Sequence, residues 1–372
     1  MRLLKICLAA VCMCAVASTA NCQAIISTSA GGNTVYLGVN AEGHLNLSAG
    51  NVSTNSSRTG LAFDNANIRA IETSLGRPLG PVDSTSPGCF CEGWGVSTSS
   101  LAGRSGFANV DSDGGANNLT LTSFSSTAST ATSTVRLTNT PGLSVEQAYT
   151  VAVPGALFKN HVKITNTTGG TLNDIKYVRV MDWDVPFNEF DEHVSNQGVA
   201  GNLIPAPGGK LEYSSDQGFA SANPLAGNPG GIVPGTVNTD FVDFGPDDHG
   251  GYFRFNFGAL ATGESVEFDV YYGAAPTEAA MLAAITSQSI NLYSLGQSGP
   301  SSGSSFPPFP GNPATGVPIT YAFGFGGVGT VVIPPSPGDV PEPATFIVWG
   351  SLAVAAGGVF ARRAYKGQAA NA

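Results

Sequence analysis

The acidic residues that follow position 181 are the part of this chain best suited to chemistry. Asp182-Trp183-Asp184 is succeeded by Glu189, Asp191, Glu192 and His193. Residues i and i+2 of a strand share a face, so Asp182 and Asp184 present two carboxylates together. With Glu189 or Asp191 from the following loop they form an oxygen-rich set of the kind calcium takes. The metal-ligating residues expected from sequence are therefore Asp182, Asp184, Glu189 and Asp191. Asp111-Ser112-Asp113-Gly114-Gly115 carries the opening of a calcium loop without its third ligand or distal glutamate, and Asp247-Asp248-His249 is a third acidic cluster. Asp and Gly are also turn residues, and a solvated turn explains each cluster as well.

The same carboxylates beside Trp183 are the residue types of glycoside hydrolysis, whose outcome depends on a carboxyl separation that spacing does not reveal. No His-Glu-x-x-His pattern or phosphate-binding Gly loop is present, and the four histidines (His44, His161, His193, His249) are scattered. The expectation is a non-enzymatic protein, with a polysaccharide-modifying hydrolase as the alternative.

The elements that must position these groups read as strands. Asp174 to Asp184 is apolar on both faces, as in a central strand, and Tyr252 to Phe257 puts Phe253, Phe255 and Phe257 on one side. Val266 to Tyr272 alternates cleanly, whereas in Val145 to Val151 Gln147 interrupts an otherwise apolar face. Ile319 to Phe325 is a last strand. Only Pro276 to Ser287 reads as helix, from its Pro start and Ala-rich content. The 48 glycines and 24 prolines suit many short strands joined by turns. The fold expected is mainly β: a β-sandwich with one short helix, its core over residues 91–295. A Ser/Asn/Gly-rich β region precedes it at 25–90, and a Gly/Pro-rich segment with the last strand and a linker follows at 296–339.

Five of the 16 basic residues lie in the terminal segments and all 26 acids lie between them, so residues 25–361 carry 11 cations and a net charge of −15. That balance argues against nucleic acid and anionic lipid, which need clustered Lys or Arg. It is compatible with calcium or with neutral sugars. Outside the first 24 residues the cysteines are Cys89 and Cys91, a pair for a local disulfide in an oxidising compartment or for two free thiols.

Both ends carry targeting features. Arg2 and Lys5 precede an apolar run from Ile6 to Val16, with small residues beyond and cleavage after Ala20 or Ala24; residues 1–24 read as a signal peptide for the Sec translocon and signal peptidase. At the other end stand Val340-Pro341-Glu342-Pro343, an uncharged run from Ala344 to Ala361, and Arg362-Arg363. As a helix that run measures about 27 Å, barely enough for a hydrocarbon core of about 30 Å. The arginine pair supplies the cytoplasmic flank.

Residues 340–372 thus resemble the PEP-CTERM sorting signal of Gram-negative bacteria, with its Val-Pro-Glu-Pro-like motif, one short transmembrane helix and a basic terminus. The resemblance implies an exosortase, a membrane cysteine protease, as partner. It further implies a transient inner-membrane anchor before processing, then a place on the cell surface or in the extracellular matrix, linked to exopolysaccharide and biofilm. Tyr177–Asp184, Asp248-His249-Gly250, Phe253–Phe257, Tyr271–Ala275 and Gly324–Gly329 resemble a β-rich domain met in many secreted bacterial proteins, which implies no chemistry. The role expected is structural or polysaccharide-binding; the alternatives are the hydrolase above and a calcium-stabilised adhesin.

Overall fold

In the computed structural model the described residues are 23–101, 104–139, 142–298 and 319–329. The sorting motif Val340–Pro343, the apolar run after it, Arg362, Arg363 and most of the signal peptide lie outside them. No helix among the described residues is long and apolar enough to cross a membrane.

Alternating apolar residues build antiparallel strands throughout. β1 (Ala24–Ala30), β2 (Asn33–Val39), β3 (Leu61–Asp64) and β4 (Val82–Asp83) pair in that order as a four-stranded sheet. Helix α1 (Ala66–Leu75) joins its last two strands. β1 opens at Ala24, opposite Val39, inside the segment read as signal peptide.

A six-stranded sheet uses β5 (Gly93–Thr98), β6 (Arg104–Asn109) and β7 (Gly115–Asn117) on one side. A nine-stranded sheet begins with β8 (Leu119–Ser126), β9 (Ala131–Leu137), β10 (Leu143–Val153) and β11 (Leu157–Asn166). β12 (Lys176–Asp182) returns to the six-stranded sheet, and β13 (Glu192–Gln197) joins the nine-stranded one. After α2 (Val199–Asn202) come β14 (Leu211–Ser215), β15 (Phe241–Asp247), β16 (Gly250–Asn256) and β17 (Ser265–Ala275). Helix α3 (Glu278–Ser287), β18 (Leu292–Ser298) and β19 (Thr320–Gly326) complete the set. The sheet orders are β14-β16-β12-β5-β6-β7 and β15-β13-β18-β19-β17-β11-β10-β9-β8. β12 therefore has a neighbour on each side, as its two apolar faces require.

The two large sheets pack face to face, sandwich-like. Phe253 and Phe255 of β16 meet Phe325 of β19 at ring separations of 5.4 and 4.8 Å, and Tyr177 of β12 meets Phe268 of β17 at 4.9 Å. The same apolar cluster continues without a break into Ile26, Leu37 and Phe63 of the four-stranded sheet.

Three expectations need correction. The helix is not alone: besides α3, the described residues hold α1 and the single turn α2. Asn65 caps α1 by accepting from the Ile68 N–H at 2.9 Å, and Gly76 ends it at φ 63. Second, the Gly/Pro-rich segment starting at 296 begins inside β18, so a strand extends further into it than composition suggests. Third, Gln147 is no break in β10. It is fully enclosed, and its Oε1 accepts from Asn160 Nδ2 at 2.9 Å and from Arg179 Nη1 at 3.0 Å.

Arg179 is the centre of a polar network in the core. Its Nε donates to Glu92 Oε1 at 2.5 Å, and neither side chain reaches solvent. Glu92 Oε2 accepts from the Leu45 N–H at 2.6 Å, and Oε1 also accepts from Tyr272 OH at 3.1 Å. Arg179 Nη1 reaches Tyr177 OH at 3.2 Å, and Nη2 reaches Tyr149 OH at 3.3 Å. Burial pushes the Glu92 carboxyl up, and the guanidinium beside it pulls the other way.

Candidate metal centre

The register between β12 and β16 assembles the site. Asp182 lies opposite Gly250, and one step further the Trp183 N–H donates to the His249 carbonyl at 3.4 Å. Beyond this the ladder ends, since the Asp184 N–H donates to the Ser84 carbonyl at 2.7 Å, yet the side chains of Asp184 and Asp248 still meet. Like charges opposed on neighbouring chains repel, so the strand ends here carry a strain that apolar residues would not. Carboxylate oxygens of Asp182, Asp184 and Asp248 all lie within 4.8 Å of one another. Glu192, the first residue of β13, comes from the facing nine-stranded sheet, and the three aspartates dominate its surroundings after burial itself.

The oxygens are enclosed and unpartnered. Both of Asp182, both of Glu192, Oδ1 of Asp184 and Oδ1 of Asp248 make no hydrogen bond. Asp184 Oδ2 accepts from the Gly88 N–H at 3.4 Å. Asp182, Asp184 and Glu192 are buried, and Asp248 is half-buried, giving the cluster one side toward solvent. Burial first, then the neighbouring carboxylates, drives Asp182 and Glu192 far above the usual carboxyl range. Burial lifts Asp184 to about 8 against the Gly88 hydrogen bond, and Asp248 is raised as well. An arrangement of buried anions without matching donors suits a hard, oxygen-seeking cation. Calcium ligands stand about 2.3–2.6 Å from the ion, so opposite ligands are about 5 Å apart, and oxygens no more than 4.8 Å from one another can share one ion.

Two glycines leave the space open. A Cβ on Gly218 would sit 2.6 Å from Asp182 Oδ1, and one on Gly88 would sit 2.8 Å from Asp184 Oδ1. Neither position admits a larger side chain without moving a carboxylate.

Of the four ligands expected from sequence, Asp182 and Asp184 come together while the two loop residues do not join them. Glu189 Oε1 accepts from Asn55 Nδ2 at 3.1 Å and stands 4.0 Å from Arg77 Nη2, which ties it to the N-terminal region. Asp191 stays outside the group and only adds to the charge felt by Asp248. Asp248 joins them instead, and Glu192 lies near enough for the three aspartates to act on its carboxyl. Glu192 sits in the same acidic run, and its position opening a strand was the available signal. Asp248 needed the β12–β16 pairing.

The second acidic cluster is a fastening. Asp113 accepts from Ser221 Oγ at 2.5 Å and from the Ala222 N–H at 2.8 Å, and Asp111 accepts from the Phe90 N–H at 2.9 Å. His249 Nδ1 lies 2.9 Å from Asp216 Oδ2, both fully buried. Asp216 also accepts from the Ile232 and Val233 N–H groups and from Thr236 Oγ1. Burial works to raise that carboxyl, but these hydrogen bonds outweigh it and hold it below its usual range. Asp113 and Asp216 together pin the segment carrying Gly218. Cys89 and Cys91 lie beside the site with Cα atoms 5.1 Å apart and sulfurs in bonding contact. Trp183 is a core residue: it is fully buried and donates from Nε1 to Ser294 Oγ at 3.0 Å, so it offers no face to a sugar.

No family model matches this chain, and no curated protein is significantly similar to it. The geometry of the carboxylate cluster therefore stands on its own.

Proposed function

We propose that this chain is an exported, calcium-binding β-sandwich of the bacterial cell surface or extracellular matrix, with a structural or polysaccharide-binding role in exopolysaccharide and biofilm. The observation that carries the reading is the set of six buried carboxylate oxygens without hydrogen-bond partners at Asp182, Asp184, Asp248 and Glu192. Calcium is abundant outside cells, and a ligand that binds only the folded state stabilises it by mass action. The test is thermal unfolding of the purified protein with calcium and with chelator. At calcium about 100 times its dissociation constant the stabilisation is about 2.7 kcal/mol. A melting temperature that calcium leaves unmoved, with no heat of binding by calorimetry, rejects the site.

Export and sorting follow from the terminal features. The Sec translocon and signal peptidase handle the N-terminus. Of the two cleavage points, the one after Ala20 leaves intact β1, which starts at Ala24, and the contact of Gln23 Nε2 with Asn40 Oδ1 at 3.2 Å. The C-terminal signal holds the chain in the inner membrane until exosortase cuts near Val340–Pro343. Glu342→Ala is expected to leave an uncut, heavier species in the membrane fraction on immunoblotting. Normal processing of that variant removes the motif from consideration.

A further inference from the structure

Among the described residues, two aromatic side chains are exposed, Phe190 at 48% and Phe219 at 37%. Phe190 borders the carboxylates, and Phe219 stands next in sequence to a glycine that does. Phe190 Cε1 and Asp184 Oδ1 lie 2.5 and 2.8 Å from the same point, the position a Cβ on Gly88 would take. Phe219 follows Gly218, whose missing Cβ leaves room for Asp182 Oδ1, on the segment that Asp113 and Asp216 pin. Phe190 moreover has φ 77, a backbone conformation that is strained for a bulky residue. A core residue held that way would recover the cost by burial; this ring is left half in water.

We propose that the site binds a neutral polysaccharide, with two vicinal hydroxyls completing the coordination of a calcium ion while Phe190 and Phe219 cover the apolar faces of adjoining sugar rings. The inference rests on the calcium reading above and names what the bound ion holds. Calcium takes about 6–8 oxygens, and Asp248, the one half-buried member of the cluster, marks the side from which sugar hydroxyls would enter. Three clustered carboxylates around a dication, with Glu192 close by, leave the site anionic, within residues 25–361 of net charge −15. Uronate or sulfated chains are repelled there, whereas neutral hydroxyls are not. Aromatic walls with a few convergent polar groups are the usual make-up of a ligand site.

The experiment is co-sedimentation of the purified protein with insoluble mannan, a neutral polymer with vicinal hydroxyls, and with calcium alginate gel as the acidic control, beside thermal unfolding of each variant. Retention on mannan in calcium, released by chelator, is the expected result. Phe190→Gly, which accepts the backbone conformation, and Phe219→Ala should each weaken retention up to about tenfold while keeping the calcium-induced rise in melting temperature. Absence of retention by a protein that calcium still stabilises overturns the glycan inference and leaves the metal site standing. Retention that survives chelator or both substitutions also overturns it, as does preference for alginate. Loss of the calcium-induced rise itself condemns the metal reading instead.

Discussion

Arg179→Met is expected to lower the unfolding free energy by about 3–5 kcal/mol, the range for breaking a buried ion pair on one side. The substitution keeps much of the side-chain volume but strands Glu92, which has no access to solvent. It also removes the donor shared by Gln147, Tyr149 and Tyr177. Those acceptors come from both large sheets, so the loss loosens the layers as well as one strand. The double variant Arg179→Met/Glu92→Leu should recover most of the loss, because replacing both charges by apolar groups of similar size is often close to neutral. Urea unfolding of the two variants decides the matter. A single variant within about 1 kcal/mol of the parent would show that the pair contributes little and that water reaches the network.

A second expected result concerns pH and has an unusual sign. Burial first, then neighbouring carboxylates, raise the carboxyls of Asp182, Asp184, Asp248 and Glu192, Asp184 to about 8. Without metal the folded state then binds more protons than the unfolded one. Its stability is complete below the ordinary carboxyl range near about 4 and is lost as pH climbs through the raised values, that of Asp184 at about 8 among them. Calcium needs the carboxylates deprotonated, so it binds tighter as protons leave. The melting temperature of chelated protein should fall between about pH 5 and about pH 9, and the calcium-induced rise should grow over the same interval. Asp182→Asn should raise the chelated melting temperature near the upper end, by removing one repelling charge, and abolish most of the calcium response. If the chelated Asp182→Asn variant instead melts lower than the parent at high pH, the cluster is not electrostatically frustrated.

Much of the β framework was legible because its signal is local. The alternation of Val266 to Tyr272 and the doubly apolar run ending at Asp184 are written in consecutive residues, and β17 and β12 occupy those places. Helix α3 announced itself through Pro276 and its Ala-rich content, although it starts two residues later, at Glu278, where Thr277 caps it by accepting from the Ala280 N–H at 3.1 Å. Helix α1 was hidden by the Ser/Asn/Gly-rich composition around it, although Asn65 and Gly76 are ordinary start and stop residues. The candidate site was half legible for a similar reason. Asp182 and Asp184 are neighbours in sequence, but Asp248 arrives through strand pairing across more than sixty residues, and Glu192 arrives through the packing of one sheet on another. Gln147 misled because polarity on an apolar face looks like a defect until its partner Arg179 is known.

The position of β19 bears on the order in which the nine-stranded sheet can close. It is the last described strand in the chain, yet it lies between β17 and β18 in the interior of the nine-stranded sheet. A chain threaded outward from its N-terminus cannot close that sheet until residues 320–326 have emerged. The gap they leave splits the sheet into β15-β13-β18 on one side and β17-β11-β10-β9-β8 on the other. Late delivery of this keystone leaves a partly delivered chain with the sheet still open, and the two halves lock only when residues 320–326 join them.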